Sequence, residues 1–367
     1  MRRHVKRFAL AAGLGLLAYL ALWPVPVAPR VWEAPAPPGY VGVHAPNERL
    51  AGLRMIDLGG EEGPEHVALG PDGRLYAAVA GGRVLRMNPD GTDRQVFADT
   101  HGRVLGFDFD AAGDMLAADA LAGLLRISPD GKTEVLADRI GDAPIVFADA
   151  VVIAPDGQVY FTDASTRFGA AAWGGTFEAS VLDIIEQSAT GRVLAYDPAT
   201  RKTRLVARGL SFANGLALSG DARRLLVVET GRYRVWSLPA DAAELDVSGG
   251  PVGEARVLLD NLPGYPDNLM RGADGRIWLG FTKPRSRLVD ALSGLPSLRA
   301  VTLRLPRALW PVPKPYGHVI AFTDDGTVVE DLQDPSGVYP ETTAVTETAD
   351  RRYVQSLHAR GLGWLPR

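Results

Sequence analysis

Beyond Leu50 the chain consists of short alternating apolar runs between Gly, Pro and Asp turns. A period of two is the pattern of a strand with one buried face. It predicts strands over Leu75–Ala80, Val84–Met87, Met115–Asp119, Leu124–Ile127 and Val159–Asp163. Further strands follow over Val193–Tyr196, Leu225–Glu229, Arg234–Leu238, Ile277–Phe281 and Val319–Thr323. Asp-Gly pairs between such runs mark hairpins. The turn-plus-strand unit recurs six times: at Asp72-Gly73, Ala112-Gly113, Asp156-Gly157, Asp221-Ala222, Asp274-Gly275 and Asp350-Arg351. Spacings of about 40 to 75 residues suit four-stranded blades with insertions. The pattern therefore predicts an all-β protein, a six-bladed β-propeller over residues 51–367. An all-β sandwich is the alternative, but it would not repeat the unit so regularly.

Two stretches interrupt the alternation. Phe168 to Thr190 holds a short helix candidate over Ala179–Glu186. Residues 282–317 place Leu288, Ala291, Leu292, Leu295 and Leu298 at helical spacing, with mostly basic charges around them. Either this segment lies on an anionic membrane surface or lids a site, or it packs on the propeller with a solvated basic side.

The N-terminus follows a different pattern. A basic cap, Met1 to Arg7, precedes an uncharged apolar run from Phe8 to Trp23. Residues 1–30 are thus a membrane anchor or a signal segment. The length of the run and the poor cleavage sites after it favour a retained anchor. A cap held in the cytoplasm sends the bulk of the chain to the outer side, periplasmic or extracellular, or into secretion if the segment is cleaved. Residues 31–50 form a Pro-rich linker.

Composition narrows the chemistry. The chain has 367 residues, 46% hydrophobic and 22% charged, with a formal charge of −4. That is globular, with no electrostatic reason to expect nucleic acid. Without cysteine, disulfides and thiolate chemistry are excluded, and the six histidines show no H-x-x-x-H pair. No G-x-S-x-G elbow supports a serine hydrolase.

One register carries oxygen ligands. Glu65, Asp149, Asn214 and Asp267 each stand seven residues ahead of a turn, at Asp72, Asp156, Asp221 and Asp274. The same count back from Ala112 and Asp350 gives Leu105 and Thr343. Innermost strands of a propeller line its channel, so these side chains are expected to converge there. Carboxylates and an amide suit Ca²⁺, and without a cation they would repel one another at a high desolvation cost. Asn268 and His66, beside the acids, offer a further ligand and a proton-transfer group. The simpler reading has each acid capping a loop; four in one register weigh against it.

Specific segments carry a resemblance. They are Val151 to Phe168, GRVLAYDP at Gly191 to Pro198, FANGLALS at Phe212 to Ser219, Glu229-Thr230, and YPDN at Tyr265 to Asn268. PYGHVI at Pro315 to Ile320 and YVQSL at Tyr353 to Leu357 complete the set. The sequence resembles the strictosidine synthase-like proteins, with an architecture most like the membrane-anchored adipocyte plasma-membrane-associated type. More distantly it is similar to paraoxonases and gluconolactonases. The resemblance implies a six-bladed propeller with a central Ca²⁺ and, in several members, hydrolysis of lactones or aryl esters. It assigns the metal to Glu65, Asn214 and Asp267, with Asn268 beside them. It departs at Ala148-Asp149, where the family pattern has an Asn-Asp pair, so Asp149 stands in for a lost amide ligand. The synthases' catalytic glutamate falls at about Thr343 and the paraoxonase histidine at about Leu105. Strictosidine synthesis itself is therefore not expected.

The leading expectation is a Ca²⁺-dependent hydrolase of esters or lactones, acting on a small-molecule substrate. Metal ligands would be Glu65, Asn214, Asp267, Asn268 and Asp149; Asp149 or His66 would handle the proton, with His318 and His358 in reserve. The alternative is a non-catalytic, membrane-anchored propeller that binds a ligand or partner around a structural cation. Apolar Leu105 and Ala148, expected in the channel, favour it.

Overall fold

The fold is described from a computed structural model and covers residues 2–367. Six four-stranded antiparallel meanders stand around one axis, the third carrying a short extra strand, Leu245–Asp246. Their innermost strands are His66–Leu69, Val104–Phe109, Ala148–Ile153, Ala213–Leu218, Gly264–Arg271 and Thr342–Glu347. The architecture is the expected six-bladed propeller.

The repeated turns form as their residues dictate. Gly73, Gly113 and Gly157 take φ of +74°, +87° and +87°, a region that costs glycine nothing. The acids ahead of these turns accept backbone N–H bonds. Asp72 takes Arg74 N at 3.1 Å, Asp156 takes Gln158 N at 3.0 Å, and Asp221 takes Arg223 N at 3.1 Å. These are Asx turns that start each second strand on a fixed residue.

The last blade is closed by the first strand. Arg54–Ile56 pairs antiparallel with Leu362–Pro366, in register Arg54↔Trp364 to Ile56↔Leu362. The core lies between blades. Leu116 and Ala118 of the second pack against Ala148, Val151 and Phe161 of the third. Ala148 is wholly buried in that wall and does not reach the channel, contrary to expectation.

Helix α1, Arg2–Leu22, has no buried residue and is apolar enough to cross a membrane. At 1.5 Å per residue it is about 30 Å long, the thickness of a hydrocarbon core. Helix α2, Thr176–Glu186, contains the expected short helix and begins three residues earlier. The 282–317 segment is not one continuous helix. It splits into α3, Arg287–Ala291, and α4, Pro296–Val301, because Gly294 and Pro296 interrupt it. Nor are all its cations solvated. Arg285 is buried against Asp290, and Arg299 is fully buried and donates to the Ser293 carbonyl at 3.2 Å.

The chain from Ala28 through the linker docks on the propeller at several points. Ala28 N donates to Glu186 Oε2 and Arg30 N to the Glu186 carbonyl, both at 2.7 Å. Trp32 is buried against Tyr233. Farther on, Asp331 Oδ2 of the fifth blade accepts His44 Nδ1 at 2.8 Å and His318 Nε2 at 2.9 Å.

Candidate functional site

The register residues meet where expected. Glu65, Leu105, Asp149, Asn214 and Asp267 line one cavity of about 340 Å³ at the axis. Thr343 closes the ring by donating its hydroxyl to the Glu65 carbonyl at 2.8 Å. Two further blade junctions carry similar bonds: Thr162 Oγ1 donates to Asn214 O at 2.9 Å, and Thr230 Oγ1 to Pro266 O at 2.7 Å.

The register coincides with a break in strand pairing. The innermost strands shift register between Val104/Gly106, Ala148/Val151, Ala213/Leu216, Pro266/Leu269 and Thr342/Val345. Leu105, Asp149, Asn214, Asp267 and Thr343 all fall inside these bulges. A bulge breaks the strict alternation and re-aims a side chain, here toward the axis. Neighbouring blades touch at the same level. A Cβ on Gly215 would stand 2.7 Å from the Asn268 Cα, so only glycine lets these blades approach.

The charges are held under stress. Burial, then the Asp267 and Glu65 carboxylates, push Asp149 well above the carboxylate range. Asp267 is raised in the same way by burial and Glu65. Glu65 is also raised by burial, although the Arg103 guanidinium bonded to it pulls the other way. Asp149 Oδ1, Asn214 Oδ1 and Asn268 Oδ1 are buried without any hydrogen-bond donor. Lone pairs with no donor, beside carboxylates that resist ionisation, are an unsatisfied donor set for a hard cation. Once all three carboxylates ionise, Arg103 leaves them two net negative charges, the amount a divalent cation neutralises. Arg103, bonded to Glu65, thus offsets one of the three carboxylate charges.

Among the described residues the tightest cluster of potential ligand atoms lies elsewhere. His44, His318 and Asp331 place theirs within 4.8 Å of one another. That group needs no ion: both imidazoles donate to Asp331 Oδ2, and Gln333 Nε2 donates to Oδ1 at 2.5 Å.

The structure separates the expected site residues. Asn268 is buried behind the ring, its Nδ2 donating to the Glu65 carbonyl at 3.5 Å. His66 does not line the cavity. Its ring lies 4.6 Å from that of Phe107, and burial lowers its pKa to about 4. His318 is buried beneath the linker. His358 alone of the named histidines lines the cavity.

A second ring was not read from the sequence. Two residues ahead of the first register stand Arg103, Phe147, Phe212, Tyr265 and Glu341, and all five line the cavity. Four of them stand immediately before an innermost strand, and their constant offset from the first register is the signal. The roof comes from both interruptions: Phe177, Val181 and Ile184 of α2, and Val289, Pro311 and Val312 of the basic segment. The cavity is therefore acidic at its floor and apolar at its walls.

Comparison with known proteins agrees with this picture. The family model described as "Strictosidine synthase-like, N-terminal" matches residues 42–87, and "Strictosidine synthase" matches residues 149–238. Strictosidine synthase-like 6 of Arabidopsis thaliana is 32% identical over 77% of this chain and 72% of its own. The adipocyte plasma membrane-associated protein of Danio rerio is 29% identical over 89% of this chain and 80% of its own. Among solved structures, a gluconolactonase from Xanthomonas campestris superimposes with a TM-score of 0.61 at 19% identity, covering 93% of this chain and 98% of that one. A calcium-binding regucalcin from Agrobacterium tumefaciens gives 0.56 at 16% identity, covering 85% and 92%. These two share the fold. By the extent and identity of the match to its plant relatives, the chain belongs to the strictosidine synthase-like family.

Proposed function

We propose that the protein is a Ca²⁺-dependent hydrolase of lipophilic esters or lactones, anchored in a membrane by α1. The observation that carries this reading is the ring of Glu65, Asp149, Asn214 and Asp267, rich in unpartnered oxygens, on the floor of an apolar-walled cavity. Glu65, Asn214, Asp267 and Asp149 would hold the cation, with Asn268 supporting Glu65 from behind. When bound, it supplies a Lewis acid for the substrate carbonyl. The walls, Phe147, Phe177, Phe212 and Val312 among them, would take the acyl or aryl portion and exclude bulk water. The fold neighbours named as gluconolactonase and calcium-binding regucalcin agree with a lactone substrate and a calcium ion.

The cavity would face the bilayer. Tyr19 of α1 donates to the Arg304 carbonyl at 3.0 Å, and Arg304 Nε donates to the Trp23 carbonyl at 2.6 Å. The anchor thus ends beside the segment that roofs the cavity. Leu288, Leu295, Leu298 and Leu309 of that segment are exposed among Arg287, Arg304 and Arg307, as on a surface apposed to anionic lipid. With the basic cap in the cytoplasm, the propeller lies on the outer side.

Leu105 in the first ring and the Arg103–Glu65 pair favour a second reading, a ligand-binding propeller with a structural cation. A panel of aryl esters and lactones, assayed with calcium and with chelator, separates the two. Chelator-sensitive turnover is the expected result; chelator-insensitive or absent turnover across the panel leaves only the binding role.

A further inference from the structure

Glu341 and His358 meet at the edge of the cavity, next to the acidic ring. Glu341 takes the second-ring position in the last blade, two residues ahead of Thr343. Its two oxygens have separate partners: Oε1 accepts the Lys283 ammonium and Oε2 accepts His358 Nδ1. The backbone holds this pair in place. Leu357 N donates to the Glu341 carbonyl at 3.1 Å, and His358 N donates to Ser356 Oγ at 3.3 Å.

That arrangement leaves one nitrogen for chemistry. With Nδ1–H given to the carboxylate, the neutral ring carries its lone pair on Nε2. No hydrogen bond among the described residues engages Nε2, and the side chain is 52% exposed. A purely structural ion pair would not need this placement, because the backbone bonds already fasten the loop. The other candidate bases are committed elsewhere: His66 packs on Phe107, His318 donates to Asp331, and Asp149 belongs to the ring.

We propose that His358 is the proton acceptor of this site and that Glu341 is its positioning residue; this rests on the hydrolase reading above. His358 Nε2 takes a proton from a water molecule while the water oxygen bonds to the substrate carbonyl carbon. The carbonyl π pair moves to its oxygen. When that species collapses, the bond from the carbon to the alkoxy oxygen breaks, and the imidazolium returns its proton to the leaving oxygen. One water is consumed, and the products are an acid and an alcohol, joined in one molecule if the substrate is a lactone. The bond from His358 and then the Lys283 ammonium keep Glu341 ionised against the pull of burial. The charged groups that face the ring are Glu341, Glu65 and Arg103.

The test uses the full-length protein in detergent or nanodiscs, its aryl-ester turnover, and the His358 NMR titration. His358→Gln is expected to lower kcat about 100-fold or more, with KM and the calcium-induced rise in Tm unchanged. Glu341→Gln is expected to move the His358 titration, and the acidic limb of the kcat profile with it, to lower pH. His358→Gln turnover within about threefold of wild type overturns the assignment while leaving the hydrolase reading intact. Wild-type protein that turns over no member of the panel overturns both. Should His358→Gln lose the calcium response, His358→Asn replaces it and is judged by the same criteria.

Discussion

Thr343 donates its hydroxyl to the backbone carbonyl of Glu65 across 278 residues of chain, at 2.8 Å and fully buried. It joins the last blade to the first at the level of the acidic ring. It holds the backbone of an expected cation ligand. Thr343→Val keeps the shape and removes the donor, leaving a buried carbonyl one bond short. The expected cost is about 1 to 2 kcal/mol in urea unfolding, with weaker calcium stabilisation. Thr343→Ser should restore both, and a valine variant equal to wild type would show that the bond does not position Glu65.

Calcium stabilisation should grow with pH. Burial and mutual repulsion raise Asp149, Asp267 and Glu65. A raised folded pKa means that the cation-free fold retains ring protons above the ordinary carboxylate range. The ring's contribution to stability is then present at low pH and lost as pH rises through the folded values. A cation competes with those protons, so its effect should be small near pH 5 and larger near pH 8 in thermal melts. At a hundredfold excess over Kd the gain is about 2.7 kcal/mol. Glu65→Gln with Asp267→Asn should erase it; an unchanged calcium response in that variant would refute the site.

His66 should contribute to acid lability instead of catalysis. Its folded pKa is about 4, against an unfolded value of about 6.5. Its contribution is complete above the unfolded pKa and is lost as pH falls from there toward the folded one, by at most about 3 kcal/mol. His66→Phe should flatten the stability slope across that window and spare turnover. Loss of turnover with unchanged folding would return His66 to the chemistry.

Asp331 pins the linker. Its carboxylate accepts His44, His318 and Gln333, and its carbonyl accepts Arg49 Nη1 at 3.0 Å. Asp331→Asn places an amide against two imidazole donors. The expected destabilisation is about 2 to 4 kcal/mol, with faster tryptic cleavage at Arg49. Wild-type cleavage kinetics would show that the linker is held by its other contacts.

The blade count, the strand positions and the ring of Glu65, Asp149, Asn214 and Asp267 were legible along the chain. All of these are local: turn chemistry, a period of two, and a constant distance from turn to ligand, repeated once per blade. The apolar N-terminal helix was legible for the same reason, as a continuous run with a basic cap. What meets at the axis depends on how the blades close on one another. The bulges at Leu105, Asp149, Asn214, Asp267 and Thr343 break the period of two, and Ala148 lies in the blade wall beside one of them. His66, on an unbroken strand, packs on Phe107 of the next blade. Arg103, Glu341 and His358 come from distant points of the chain and share a cavity because circular closure brings the last blade to the first. Local pattern is written along the chain; a charge balance across an axis exists only after closure has set the distances.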